Sequence, residues 1–131
     1  MDELLKAKLN TIETCLSWIK EQHQSGEWHE NALVRKELLL NLEKACQASI
    51  DCTSQVISLK NFTPPKLAKE GFDMLENLGV VDRELSNHLK KMLAIRGLVS
   101  HDEKVKPAMI ESFIINEVGC LGEFCRAIKK V

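Results

Sequence analysis

The sequence contains no tyrosine, only three prolines and six glycines among its 131 residues, and no apolar run near the ~20 residues that span a bilayer. With 44% hydrophobic and 28% charged residues, it has the composition of a folded globular protein, which excludes collagen-like and disordered chains. The acidic start, Met1-Asp2-Glu3, leads into no apolar segment of the kind that marks a secretion signal. We therefore expect one domain over residues 1–131, in the cytoplasm and without membrane contact.

Neither sign of charge is in excess. The chain has 18 Lys and Arg residues against 19 Asp and Glu residues, which gives a formal net charge of −1. No global positive field attracts this protein to nucleic acid, so any contact with phosphate must come from local clusters of basic residues.

Common signatures of metal and nucleotide sites are also missing. The sequence has no H-E-x-x-H, no G-x-x-x-x-G-K-[ST], no G-x-S-x-G and no C-x-x-C. Its five cysteines are an odd number, and four of them lie on predicted apolar helix faces. This pattern favours buried free thiols in a reducing compartment, and we expect neither a metal ion nor a cofactor.

Apolar residues recur at spacings of three and four, and no stretch alternates as a strand does. The spacing and the capping residues predict an all-α, five-helix, up-and-down bundle. Its helices are expected at residues 2–23, at 31–60, from the cap Thr63 and Pro64-Pro65 to Gly79, from the cap Asp82 to Gly97, and from Pro107 to the C-terminal end.

The second predicted helix is apolar on more than one face, because Leu40, Ala48 and Cys52 lie outside its main stripe. Such a helix is central to a bundle or forms part of an oligomer interface. Of the two tryptophans, Trp18 lies on the stripe of the first helix and is expected in the core. Trp28 lies in the first loop and is expected to pack at an interface.

One pair of residues suggests chemistry: Arg96 and His101, with four residues between them. Arginine can hold a phosphate with two parallel hydrogen bonds, and histidine can take and return a proton near neutral pH. Together they suffice to cleave RNA without metal, by attack of a ribose 2′-OH on the adjacent phosphorus. Arg83 and His88 share this spacing but lie within a predicted helix, where positions five apart differ by roughly 140° and do not share a face.

The chain resembles the HepT-like branch of the HEPN-domain proteins over almost its whole length. The resemblance is carried by the long second helix, by a short third helix, and by a lysine-rich, Met-containing helix end that runs into an Arg-x4-His motif. The corresponding segments are Asn41-Leu42-Glu43-Lys44-Ala45-Cys46-Gln47-Ala48-Ser49-Ile50-Asp51, Gly71-Phe72-Asp73-Met74-Leu75, and Leu89-Lys90-Lys91-Met92-Leu93-Ala94-Ile95-Arg96 with His101-Asp102.

The resemblance implies a single HEPN domain that forms a homodimer and cleaves RNA as a toxin. It implies an active cleft at the dimer interface and a minimal nucleotidyltransferase (MNT) as antitoxin. Arg96 and His101 are then the catalytic residues, and the supporting positions are Asp51, Asn41 and Asp102, with helix solvation or capping as the alternative role of Asp51. Four lysines close to the motif in sequence are candidates for RNA contacts, with a solvated face as the alternative: Lys90, Lys91, Lys104 and Lys106.

Two positions depart from the family motif, which has an Asn after the Arg and a Tyr two residues after the His. Here these positions are Gly97 and Glu103. In the family the Tyr receives AMP from the antitoxin, and this chain has no Tyr to receive it. A carboxylate at that position would also repel RNA phosphate. These departures leave two other hypotheses open beside the ribonuclease. The protein is then a non-catalytic binding subunit of a nucleotidyltransferase, or an inactive dimer that serves as an interaction platform.

Overall fold

The structure is a computed structural model that describes residues 1–100 and 105–131. Within these ranges every regular element is helical, and the elements form five successive rods. The first rod is α1 (Glu3–Ser25), the second is α2 (Ala32–Leu59), and the third is α3 (Ala68–Asn77). The fourth comprises α4 (Arg83–Met92) and α5 (Ile95–Ser100), and the fifth comprises α6 (Pro107–Phe113), a π-helical turn (Ile114–Val118) and α7 (Cys120–Lys129). The predicted all-α, five-helix fold is confirmed.

Helix α2 is the centre of the bundle, because it packs against α1, α3, α5 and α7. Its pairing with α1 is the most extensive contact between two elements. Ala48 and Cys52, which lie outside the main apolar stripe, are buried within this subunit, while Leu40 remains 48% exposed. The wide apolar surface of α2 is therefore explained mainly by its central place in the bundle.

Local sequence signals set several helix ends. The side chain of Asp2 accepts a hydrogen bond from the backbone N–H of Leu5, and Asp82 accepts one from Leu85. Gly26 ends α1 in the left-handed region, with φ 70°, a conformation that costs glycine little. Pro107 occupies the first turn of α6. Backbone N–H groups make no intrahelical hydrogen bond there, so the lack of an N–H in proline costs no hydrogen bond.

The predicted start of the third helix is wrong. Helix α3 begins at Ala68, after Leu67, which provides no side-chain cap, so Thr63 does not cap it. Pro64 and Pro65 lie in the connection between α2 and α3. The residue before a proline is biased towards extended backbone, which keeps this stretch out of the helix.

The predicted end of the fourth helix at Gly97 is also wrong. Helix α4 ends at Met92, a turn follows at Leu93 and Ala94, and Gly97 lies inside α5. The backbone N–H of Leu93 bonds to the carbonyl of Lys90 at 3.2 Å, a tighter i→i−3 turn than an α-helix makes. This turn redirects the chain so that Ile95 becomes fully buried and α5 packs against α2.

The π-helical turn of the fifth rod has a physical reason in the spacing of its core residues. Phe113 and Val118 are both buried although they are five residues apart, and in a regular α-helix such positions diverge by roughly 140°. The wider i→i+5 turn at Ile114–Val118 brings them to the same side of the rod.

Both tryptophans contribute to the core. Trp18 is half-buried and packs against the main core cluster, as predicted. Trp28 lies in a 3₁₀ turn, Glu27–His29, and is 0% exposed, so the expectation that it packs at an interface is wrong. Arg35 closes this turn, because its Nη1 donates to the backbone carbonyls of Trp28 and His29, at 2.9 Å each.

Candidate active site

Arg96 lies on α5, one residue after its start, and its side chain is exposed. The turn at Leu93 and Ala94 and the burial of Ile95 together place Arg96 at the surface beside α2. Helix α5 ends at Ser100, and His101 is the next residue. Three predicted site residues lie outside the described residues, namely His101, Asp102 and Lys104, and so does Glu103 at the family's Tyr position.

A chain of polar contacts links Arg96 to α2 and α1. Nη2 of Arg96 donates to Oε1 of Gln47 at 3.5 Å, and Nε2 of Gln47 donates to Oδ1 of Asp51 at 3.0 Å. The other oxygen of Asp51, Oδ2, lies 3.0 Å from Nζ of Lys8 on α1. The structure thus connects Asp51 to Arg96 indirectly, because Gln47 contacts both side chains.

The sequence analysis did not select Gln47 or Lys8. A polar pair four residues apart on one helix, as Gln47 and Asp51 are, lies on one face. That spacing marks Gln47 as a neighbour of Asp51, but only the fold shows that Arg96 approaches the same face. Lys8 carried no signal, because its partner is 43 positions away in sequence.

A polar groove adjoins this chain of contacts. It lies between α1 and α2, measures about 390 Å³, and is lined by residues that include Lys8, Thr11, Leu40, Lys44, Gln47 and Asp51. A second cavity of about 400 Å³ shares Thr11, Leu40 and Lys44 with it and reaches Trp18.

The thiol nearest to the site does not provide a nucleophile. Burial raises the pKa of Cys46 to about 11, and the positive charge of Arg96 only partly opposes this effect. Burial likewise raises the pKa of Cys52 and Cys120 to about 12 and that of Cys125 to about 11. All five cysteines are buried and free, as predicted. They therefore remain protonated and unreactive near neutral pH.

The second Arg-x4-His pair diverges, as its helical position predicts. Nε of Arg83 lies 3.8 Å from Oε2 of Glu76, whereas Nδ1 of His88 lies 3.6 Å from Oε2 of Glu117. Each of the two side chains thus meets a different carboxylate on a different element. This pair provides a matched control for the pair at Arg96 and His101.

The remaining predicted residues lie in different surroundings. Asn41 donates to the backbone carbonyl of Glu37 at 2.9 Å, and it lies roughly 15 Å along α2 from Asp51 at the usual rise per residue. It is therefore not part of the contact chain. Nζ of Lys90 binds Oδ1 of Asp73 at 2.7 Å, so this lysine is ion-paired within the subunit. Lys91 and Lys106 are exposed.

The described part of the chain shows no group of three or more His, Cys, Asp and Glu side chains that could hold a metal ion. Over the same residues, no helix is long and apolar enough to cross a membrane.

Comparison with known proteins identifies the family. The profile described as "Ribonuclease HepT-like" matches residues 9–128. The chain therefore belongs to the HepT-like family, as the sequence motifs indicated. The mRNA nuclease HepT of Shewanella oneidensis is 25% identical over 103 residues, which cover 78% of this chain and 77% of that protein.

Solved structures share the fold over the full length. A chain of a toxin–antitoxin complex, MntA–HpeT, superposes with a TM-score of 0.90 at 20% identity and covers 99% of this chain and 100% of that one. A tri-AMPylated HEPN toxin of Shewanella oneidensis, in complex with its MNT antitoxin, superposes with a TM-score of 0.89 at 22% identity, with both chains fully covered. The bundle described above is thus the HEPN fold.

Proposed function

We propose that this protein is a metal-independent endoribonuclease, the toxin of a HEPN–MNT toxin–antitoxin pair. The observation that carries the proposal is the position of Arg96: an exposed cation beside a polar groove, on the short helix that leads directly to His101. Membership of a family described as ribonucleases supports it. The relative named mRNA nuclease points to RNA as the substrate, and the toxin solved with an MNT antitoxin points to the partner.

In the proposed reaction, His101 takes the proton from a ribose 2′-OH, and the freed oxygen attacks the adjacent phosphorus. The bond from phosphorus to the 5′-oxygen breaks, and this oxygen leaves with the proton that His101 returns. The products are a 2′,3′-cyclic phosphate and a 5′-hydroxyl. Arg96 binds the non-bridging oxygens and stabilises the negative charge that grows on them in the transition state.

We assign supporting roles to Asp51 and Asp102, and RNA contacts to the lysines that flank the motif. Lys91 and Lys106 are exposed and suited to bind phosphate, and Lys104 lies two residues before Lys106 in sequence. Lys90 is the weakest of the four candidates, because Asp73 already neutralises its charge.

The proposed active form is a cytoplasmic homodimer with its cleft at the subunit interface. The family resemblance supports this assembly more strongly than the apolar surface of α2 does, because Ala48 and Cys52 are buried within the subunit. Leu40 is the large apolar side chain that remains exposed in the groove next to the contact chain.

The departures from the family motif favour one alternative: a non-catalytic HEPN subunit that binds a nucleotidyltransferase. Gly97 provides no side-chain amide, although a Cβ there would meet no atom within 4 Å. Crowding at the Cβ therefore does not explain the glycine. The glycine at position 97 is the specific observation that favours the non-catalytic binding subunit.

The deciding experiment is cleavage of RNA by the purified protein in excess EDTA. We expect cleavage to persist in the chelator, to spare a DNA copy of the same sequence, and to leave 2′,3′-cyclic phosphate ends. Cleavage that required a divalent metal, or that produced 3′-hydroxyl ends, would contradict the mechanism. Absence of cleavage of any RNA would favour the binding subunit.

A further inference from the structure

We propose that Gln47 is a positioning residue that orients the guanidinium of Arg96, and that Asp51 and Lys8 hold Gln47 in place. The proposal rests on the proposed function for its meaning in catalysis. Its structural basis is the contact chain that runs from α5 across α2 to α1, with distances of 3.5, 3.0 and 3.0 Å.

The hydrogen-bonding groups of Arg96, Gln47 and Asp51 allow only one orientation of the Gln47 amide in this chain of contacts. An arginine side chain offers donors alone, an ionised carboxylate offers acceptors alone, and a glutamine amide has one face of each kind. Gln47 therefore presents its oxygen to Arg96 because its nitrogen is directed to Asp51. The reversed amide would place N–H against N–H on one side and oxygen against oxygen on the other.

Lys8 is the last residue of this chain of contacts and holds Asp51 in place. It binds the oxygen of Asp51 that does not contact Gln47, so the carboxylate is held from both sides. The side chains of Lys8 and Asp51 are 36% and 37% exposed, and ion pairs with such exposure contribute little to folding stability. The contacts therefore set geometry more than they stabilise the bundle.

The contact between Gln47 and Arg96 is long for a hydrogen bond, at 3.5 Å. Catalytic hydrogen bonds are often long in a free enzyme and shorten when substrate binds. A guanidinium has five N–H donors, and the contact with Gln47 uses one of them. Loss of this contact removes one of the restraints on the orientation of the Arg96 guanidinium.

The test uses Gln47→Leu and, as a matched control, Gln55→Leu. Gln55 lies on the same helix and also donates to an aspartate, Oδ1 of Asp2 at 3.3 Å, but it belongs to no contact chain with Arg96. We expect Gln47→Leu to lower the kcat/KM for RNA by about 10- to 100-fold, the range that small misplacements of a catalytic group produce. Gln55→Leu is expected to leave it unchanged, with the same thermal stability in both variants.

Two further variants separate positioning from a structural role. Asp51→Leu removes the acceptor that fixes the amide, and we expect it to reproduce the loss in Gln47→Leu. In an Arg96→Ala background, Gln47→Leu is expected to add no further loss, because it acts through Arg96. A full additional loss in that background, or a lower melting temperature than that of Gln55→Leu, would overturn the proposal.

A second readout does not depend on cleavage. The Nε–Hε signal of Arg96 in ¹⁵N NMR spectra, assigned by its disappearance in Arg96→Lys, reports the mobility of the guanidinium. We expect higher mobility in Gln47→Leu than in the unmutated protein or in Gln55→Leu. Equal mobility in all three would refute the positioning role. If the unmutated protein cleaves no RNA, the proposed function fails, and this measurement still decides whether Gln47 orients Arg96.

Discussion

Replacement of Arg96 should remove activity while the fold is kept. Arg96 is exposed, and its contact with Gln47 is 3.5 Å long. Surface changes of this kind usually alter the free energy of unfolding by less than about 0.5 kcal/mol, and alanine is the best helix former. Loss of a donor that stabilises transition-state charge typically lowers kcat by about 10²- to 10³-fold, or roughly 2.7–4 kcal/mol. We therefore expect Arg96→Ala to unfold at the same temperature as the unmutated protein and to cleave RNA at least a hundredfold more slowly.

Arg96→Lys refines this prediction. It keeps the positive charge but loses the planar fork that binds two phosphate oxygens, so we expect only partial activity. Arg83→Ala is the matched control, because Arg83 has the same spacing to a histidine but lies near Glu76. The assay is the rate of cleavage of a labelled RNA at saturating protein, with thermal unfolding measured in parallel. Full activity of Arg96→Ala, or equal losses in Arg83→Ala and Arg96→Ala, would refute the assignment.

Three more predictions concern assembly, regulation and the altered motif. Light scattering at micromolar concentration should give about twice 14.8 kDa, and a monomer would contradict the composite cleft. Incubation with a partner nucleotidyltransferase and ATP should add no AMP, as measured by intact mass spectrometry, because the chain has no Tyr and has Glu103 at the family's Tyr position. A mass gain mapped to residues 100–106 would show that another side chain, such as Ser100, accepts AMP. Gly97→Asn should fold normally, since its Cβ meets open space, and should cleave RNA faster than the unmutated protein; unchanged or slower cleavage would show that the missing amide does not limit activity.

Features that depend on a few neighbouring residues were predictable from the sequence. The cap at Asp82 and the first-turn Pro107 each act within one helical turn, so the local pattern contains their cause. The burial of four of the five cysteines followed from their place on predicted apolar helix faces. The divergence of the Arg83 and His88 side chains followed from helix geometry alone.

Features that depend on distant packing were not predictable. The break between α4 and α5 reflects the burial of Ile95 against α2, and the π-helical turn reflects the joint burial of Phe113 and Val118. Trp28 lies in a short turn, and only the closed bundle shows that this turn is covered. Gln47 joins the site because α5 approaches α2 there, which no spacing within α2 reveals.

The central claim, that Arg96 and His101 form the active site, is tested most directly by a comparison of two histidines. His101→Ala and His88→Ala make the same change at the same Arg-x4-His spacing. Removal of a general acid–base group typically lowers the rate by ~10²- to 10⁴-fold, and we expect that loss in RNA cleavage for His101→Ala. His88→Ala should cleave RNA at the rate of the unmutated protein, because the side chain of His88 lies against Glu117 and is not part of the proposed site. Equal loss in the two variants, or full activity of His101→Ala, would contradict the account.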